Sequence, residues 1–143
     1  MSSVFDVATY ILKKKGPMSS MKLQKLCYYA KAWFLVWEDQ ELFFEKIEAW
    51  ANGPVIPKLF EIHKGKFTVS LVDFSERSQK LDKNQKASID KVLEFYGDKS
   101  SQWLSDLTHM EEPWRNARHG VPDGEKCNNE ITSESMHEYY SSI

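Results

Sequence analysis

The stretch that decides how this chain folds runs from Met21 to Phe60 and reads MKLQKLCYYAKAWFLVWEDQELFFEKIEAWANGPVIPKLF. It holds three of the five tryptophans and an Asn-Gly-Pro sequence. Gly53 permits a backbone bend that other residues resist, and Pro54 suits the first turn of a new helix. Apolar side chains recur at spacings of three and four, the pattern of one helix face: Leu23, Leu26, Cys27, Ala30, Phe34 and Trp37. The stretch therefore predicts a rigid, aromatic-rich scaffold.

Capping signals along the rest of the chain predict several further helices. Ser3 with Asp6 forms a capping-box pattern, and Gly16 with Pro17 ends the helix that it opens. Ser19 is the expected cap of the helix that continues to Trp37. The later helices are expected to begin near Pro54 or Pro57, at Asp82 with Gln85, at Ser100 or Ser101, at Pro113 and after Thr132.

Strand signals are weak by comparison. Leu42–Phe44 and Ile47–Trp50 are expected to be short strands or extended chain, and Phe67, Val69 and Leu71 alternate with polar residues. The segments Ser75–Lys80 and His119–Glu130 are polar and predict loops. The prediction is an all-α or predominantly α fold over residues 1–143, a compact single-domain helical bundle with at most a short β-hairpin.

Composition excludes several classes of protein. The 143 residues suit one domain, and 41% hydrophobic with 28% charged residues is an ordinary globular composition. A net charge of −2 argues against a nucleic-acid binder, which normally carries a basic stripe. No apolar run reaches the roughly 18 residues of a membrane span, and the N-terminus lacks the pattern of a signal peptide. With only two cysteines, the chain suits the reducing cytoplasm.

No arrangement of residues predicts catalysis, a cofactor or a metal. The four histidines, His63, His109, His119 and His137, lack metal-ligand spacing, and the six glycines stand apart rather than in a phosphate loop. Cys27 falls on an apolar helix face, where a thiol is inert. We therefore expect a protein that is not an enzyme.

Three sequence blocks resemble a known family. They read K-L-Q-K-L-x-Y-Y-A-x-x-W from Lys22, E-A-W-x-x-G-P-V-x-P-x-L-F from Glu48, and L-S-x-x-T-H-x-x-x-P-W-x-x-A-R from Leu104 to Arg118. In this order, over about residues 20–118, they resemble the SocA-like antitoxin (Panacea) domain, a family that includes phage-associated GepA-like proteins. The resemblance implies a partner, a protein toxin encoded by an adjacent gene, but does not name that toxin.

We expect the family-like blocks to build the shared scaffold. Their main residues are Leu23, Gln24, Lys25, Leu26, Tyr28, Tyr29, Trp33, Glu48, Trp50, Gly53, Pro54, Pro57, Thr108, His109, Pro113, Trp114 and Arg118. The third block could instead be a recognition patch, since Trp and Arg are favoured interface anchors. In the structural alternative, His109 caps the fifth helix, Trp114 fills the core and the arginines pair with acidic groups.

Toxin contacts are expected in the two segments with less family pattern, Phe67–Lys80 and His119–Ile143. The candidate toxin-binding residues are Phe67, Val69, Leu71, Phe74, Tyr139 and Tyr140. In the competing interpretation, the first segment is a core hairpin and Tyr139 with Tyr140 docks the last helix. The expected function is neutralisation of a toxin by direct binding. Alternatives are delivery of the toxin to a protease, transcriptional autoregulation of the operon, and enzymatic reversal of the toxin's modification.

Overall fold

Helices form most of the computed structural model, which describes residues 2–74 and 80–143. Within these residues the predominantly α fold class is confirmed. The helices are α1 (Val4–Lys15), α2 (Ser20–Glu38), α3 (Pro57–His63), α4 (Lys83–Tyr96), α5 (Ser101–Met110), α6 (Glu112–Ala117) and α7 (Ser133–Tyr140). A 3-10 turn covers Leu71–Phe74. No helix among the described residues is long and apolar enough to span a membrane.

Side-chain caps fix the helix ends where the sequence predicts them. The Ser3 amide donates to Asp6 Oδ2 at 2.9 Å, and the Gln85 amide donates to Asp82 Oδ1 at 2.8 Å, so both predicted capping boxes are confirmed. Ser19, Ser100 and Thr132 cap α2, α5 and α7. Such a cap typically contributes about 1 kcal/mol, so these polar residues set the helix boundaries.

Two small sheets complete the fold. Strands β2 (Ile47–Trp50) and β3 (Gly53–Val55) form an antiparallel hairpin, and β5 (Glu130–Ile131) pairs with the other edge of β2. Strands β1 (Met18–Ser19) and β4 (Thr68–Val69) form a separate antiparallel pair. The structure thus contains the predicted short hairpin. In addition, a third strand pairs with this hairpin, and two further strands form a separate sheet.

Helix α2 lies at the centre, and its buried surface extends beyond the predicted apolar face. It packs against α1, α4, α5, α7 and β3, so its polar residues Gln24, Lys25 and Lys31 are buried as well. Because other elements surround α2, residues outside its apolar face are buried as well. Trp37, predicted on the buried face, is 41% exposed because it lies in the last turn.

Several local predictions needed correction. Pro54 does not begin a helix: it pairs with Ala49 in the hairpin, because Gly53 has a φ of +123° and turns the chain into β3. Helix α3 begins at Pro57 instead. Leu42–Phe44 forms no strand, and Leu71 belongs to the 3-10 turn rather than to β4. The loop predicted for Ser75–Lys80 lies outside the described residues except for Lys80.

Candidate functional site

The first two family-like blocks meet at the start of α3. The backbone amide of Ile56 donates to Gln24 Oε1 at 2.8 Å, and Gln24 Nε2 donates to the Ile56 carbonyl at 3.3 Å. Gln24 Nε2 also lies 2.9 Å from His63 Nε2. A single buried amide therefore satisfies both backbone groups of the residue that precedes α3, and it fixes the hairpin to α2.

The third block holds the same hairpin from the other side. Trp114 Nε1 donates to the Trp50 carbonyl at 2.8 Å, and Arg118 Nη1 donates to the Ala49 carbonyl at 3.0 Å. Arg118 Nη2 donates to the carbonyls of Pro122 and Glu125. The expectation that the arginines pair with acidic groups is therefore wrong for Arg118, which is buried and bonds backbone carbonyls.

His109 is placed by stacking rather than by helix capping. Its ring lies parallel to that of Trp114, with 4.1 Å between the centroids, and Glu111 is the C-terminal cap of α5. Burial lowers the pKa of His109. Its buried Nε2 atom has no hydrogen-bond partner among residues 2–74 and 80–143.

Lys25 lies beneath the hairpin turn and is only 1% exposed. A Cβ atom at Gly53 would come within 2.6 Å of Lys25 Cε, so glycine is required both by its positive φ and by this close approach. The ammonium forms no ion pair with any acid that the structure describes. Burial lowers the pKa of Lys25 to about 8.

The other motif residues lie around this junction, which supports the proposed scaffold role. Trp50 Nε1 donates to Glu48 Oε1 at 2.8 Å, and Thr108 Oγ1 donates to the Ser105 carbonyl at 2.7 Å. Pro57 is the first residue of α3. The remaining members are buried: Leu23, Leu26, Tyr28, Tyr29 and Pro113. Trp33 differs from them because it is partly exposed and reaches a groove described below.

A buried carboxylate joins α2 and α7, and the sequence analysis missed it. Tyr29 and Tyr140 each donate a hydroxyl to Glu111 Oε1 at 2.7 Å, and the Tyr28 and Tyr140 hydroxyls lie 3.0 Å apart. Burial raises the pKa of Glu111. The sequence shows only that Glu111 precedes a helix with Pro113 in its first turn. This local pattern does not indicate that tyrosines more than 25 positions away bind the carboxylate.

A wide groove lies between α2, α4 and α5, and we call it the aromatic groove. Its volume is about 640 Å³, and its lining includes Trp33, Trp37, Phe95, Tyr96, Trp103 and Leu107. Trp37, Phe95 and Trp103 are 41%, 59% and 40% exposed. Three large rings so exposed around one concave surface mark an interaction site more often than isolated apolar residues do.

The predicted toxin-binding residues do not form one surface. Phe67 and Leu71 are exposed, as expected, but Val69 and Phe74 are buried. Val69 pairs with Met18 in the β1–β4 sheet, and Phe74 belongs to the core. Tyr140 is fully buried against the Tyr28 ring, and Tyr139 is partly buried beside it. Of the six candidate residues, Phe67 and Leu71 therefore remain exposed, and Tyr139 is partly exposed.

A second groove, of about 730 Å³, runs beside the hairpin and is lined in part by Trp50, Asn52, Lys126 and Cys127. We call it the hairpin groove. It brings the His119–Glu130 loop against β2 but carries none of the strongly exposed rings. No group of three His, Cys, Asp or Glu side chains is placed to hold a metal ion in the part of the chain that the structure describes.

In a comparison with protein families, residues 23–115 fit the family model described as "Antitoxin SocA-like, Panacea domain". The chain belongs to the SocA-like antitoxin (Panacea domain) family. No curated protein and no solved structure matched the chain. The SocA-like match covers the hairpin junction except for Arg118 and its carbonyl partners in the following loop, and it covers the α2, α4 and α5 walls of the aromatic groove. Membership in an antitoxin family suggests a role in a toxin–antitoxin pair.

Proposed function

We propose that this protein is an antitoxin that neutralises a protein toxin, encoded by an adjacent gene, by binding it directly in the cytoplasm. Family membership supports the antitoxin role. The observation that carries direct binding is the aromatic groove, whose exposed rings need a covering surface to leave water. In this proposal no residue performs chemistry on the toxin.

The size of the chain is sufficient for such an interface. A stable interface buries about 800 Å² on each partner, and the chain exposes 7667 Å². A toxin would therefore cover roughly a tenth of this surface. Tryptophan and the other large rings are the side chains that most often dominate binding energy at an interface, and the aromatic groove collects three tryptophans.

The segment at Phe67 and Leu71 remains a proposed second contact. Phe67 is 81% exposed, and Val72 close to it in sequence is 77% exposed. These side chains border residues 75–79 in the sequence. Exchange of the segments 67–80 and 119–143 with those of a relative that guards another toxin would show whether they determine toxin choice.

The absence of catalysis can be tested by co-expression with the product of the adjacent gene. We expect Cys27→Ser, His109→Gln and His119→Gln to retain protection wherever the variant still folds, because none of these groups acts on the toxin. Growth of the host reports protection, circular dichroism reports folding and a pull-down reports toxin binding. A variant that folds and binds toxin yet gives no protection would favour an enzyme over a binding protein.

A further inference from the structure

The aromatic groove is a rigid platform rather than an adaptable surface. Trp33 Nε1 donates to the Tyr96 hydroxyl at 3.0 Å, and the Tyr96 ring stacks on Tyr29 with 4.2 Å between centroids. Trp33 in turn stacks on Trp37 at 5.5 Å. The exposed ring of Trp37 is thus connected to the buried tyrosine cluster through two stacked pairs, so little conformational entropy is lost when a partner covers it.

The rim of the groove is positively charged. Lys91 Nζ lies 5.3 Å from the Trp37 ring centroid, and Lys99 Nζ lies 4.9 Å from that of Trp103. Neither ammonium forms an ion pair with an acid among residues 2–74 and 80–143, including Glu94 between them on the chain. These two cations are free to pair with carboxylates of a bound molecule.

The geometry of the walls selects a helical occupant over a strand. Most of the lining belongs to helices α2, α4 and α5, whose backbone groups are bonded within the helices, and Glu111 and Ile143 complete it. The described strands all belong to the two sheets, and none contributes to the lining. An extended peptide would therefore find no sheet edge to extend here, whereas an amphipathic helix binds through side chains alone.

We propose that the aromatic groove receives an amphipathic helix of the toxin, whose apolar face covers Trp37, Phe95 and Trp103 and whose flanking acidic side chains pair with Lys91 and Lys99. This inference rests on the proposed function, because it names the part of the toxin that the antitoxin covers. Apolar residues of that helix recur at spacings of three and four. Its carboxylates flank the apolar stripe where they can reach Lys91 beside Trp37 and Lys99 beside Trp103.

The indole N–H resonances of the tryptophans can show which surface of the protein binds the toxin. Trp33, Trp37 and Trp103 line the aromatic groove, whereas Trp50 and Trp114 lie at the hairpin. We expect the indole N–H resonances of Trp37 and Trp103 to shift when the purified product of the adjacent gene is added to the ¹⁵N-labelled protein. Those of Trp50 and Trp114 should stay in place.

Charge and ring variants complete the experiment. The pair Lys91→Glu and Lys99→Glu, and separately Trp103→Ala, should each weaken toxin binding at least about tenfold. The matched controls Lys46→Glu and Phe44→Ala, both at exposed positions outside the groove and outside the segments 67–80 and 119–143, should bind like the wild type. If the toxin shifts only the resonances of Trp50 and Trp114, or if it binds all groove variants like the wild type, the groove is not the binding site. The proposed antitoxin function would still stand. If the toxin neither binds nor is inhibited, the antitoxin function and the groove as its binding site are both contradicted.

Discussion

Two buried ionisable residues, Lys25 and Glu111, show what individual positions contribute to this fold. Lys25 is covered by the hairpin turn, and Glu111 accepts two tyrosine hydroxyls below the aromatic groove. Burial lowers the pKa of Lys25 to about 8 and raises the pKa of Glu111. In both cases the charged form is disfavoured because it has left water without an opposite charge.

Replacing Lys25 by methionine should stabilise the protein. A tenfold change in proton affinity corresponds to about 1.4 kcal/mol, so loss of the buried charge should raise the free energy of unfolding at pH 7 by on the order of 2–3 kcal/mol. The folded-state pKa is depressed, so the wild type is destabilised as the pH falls from 10.5 to about 8. Urea titrations should thus show that the stability difference between the two proteins narrows as the pH rises above 8.

Lys126→Met, at an exposed position, is the control and should change the free energy of unfolding little. A Lys25→Met protein less stable than the wild type would show that the ammonium supports the turn.

Replacing Glu111 by glutamine should change the pH dependence of stability. The folded-state pKa is raised, so the favourable contribution of the protonated acid is present at low pH and is lost as the pH rises through that value. The amide keeps an oxygen acceptor for Tyr29 and Tyr140 without ionising. We therefore expect Glu111→Gln to be more stable than the wild type at pH 8, with the difference disappearing toward pH 4. Parallel pH profiles for the two proteins would contradict this explanation.

At the scale of elements, the sequence predicts helix boundaries better than it predicts contacts. Ser3, Ser19, Asp82 and Thr132 cap helices because capping depends on neighbours within four residues. Pro54 and Pro57 fit a helix start equally well in the sequence. Only Pro57 begins a helix, because Gly53 turns the chain so that Pro54 pairs with Ala49 in the hairpin. The burial of α2 on all sides depends on elements that are distant in the sequence, and no local pattern encodes it.

The hairpin should depend strongly on Trp114 and weakly on the groove tryptophans. Trp114 is buried and bonds the Trp50 carbonyl, so Trp114→Ala should cost about 3–5 kcal/mol of stability. Trp50→Ala should also be destabilising, through loss of the contacts with Glu48 and Phe60. Trp103→Ala is the matched control, and its cost should be much smaller because the ring is 40% exposed. Thermal unfolding would compare the three variants, and a stable Trp114→Ala protein that no longer binds toxin would identify Trp114 as an interface anchor.

At the scale of the whole molecule, the candidate site is built from parts that the sequence keeps far apart. Trp37, Phe95 and Trp103 come from three helices, and the sequence pattern places Trp37 on an ordinary apolar helix face. The capping signals predict the helices, and the resemblance of the three blocks implies an antitoxin-like scaffold, but neither predicts which rings remain exposed. Of the six candidate toxin-binding residues, Phe67 and Leu71 are exposed and Tyr139 is partly exposed, whereas sheet pairing, core packing and tyrosine packing bury Val69, Phe74 and Tyr140.

The central claim is that this protein neutralises its toxin by stoichiometric binding, and a titration of purified components tests it most directly. The activity of the adjacent gene's product would be measured against increasing amounts of this protein, with no protease present. We predict that inhibition reaches its plateau at a fixed molar ratio of the two proteins and that the complex elutes as one species in size-exclusion chromatography. Inhibition by a small fraction of that amount would reveal catalysis, and full toxin activity at every ratio would contradict the account.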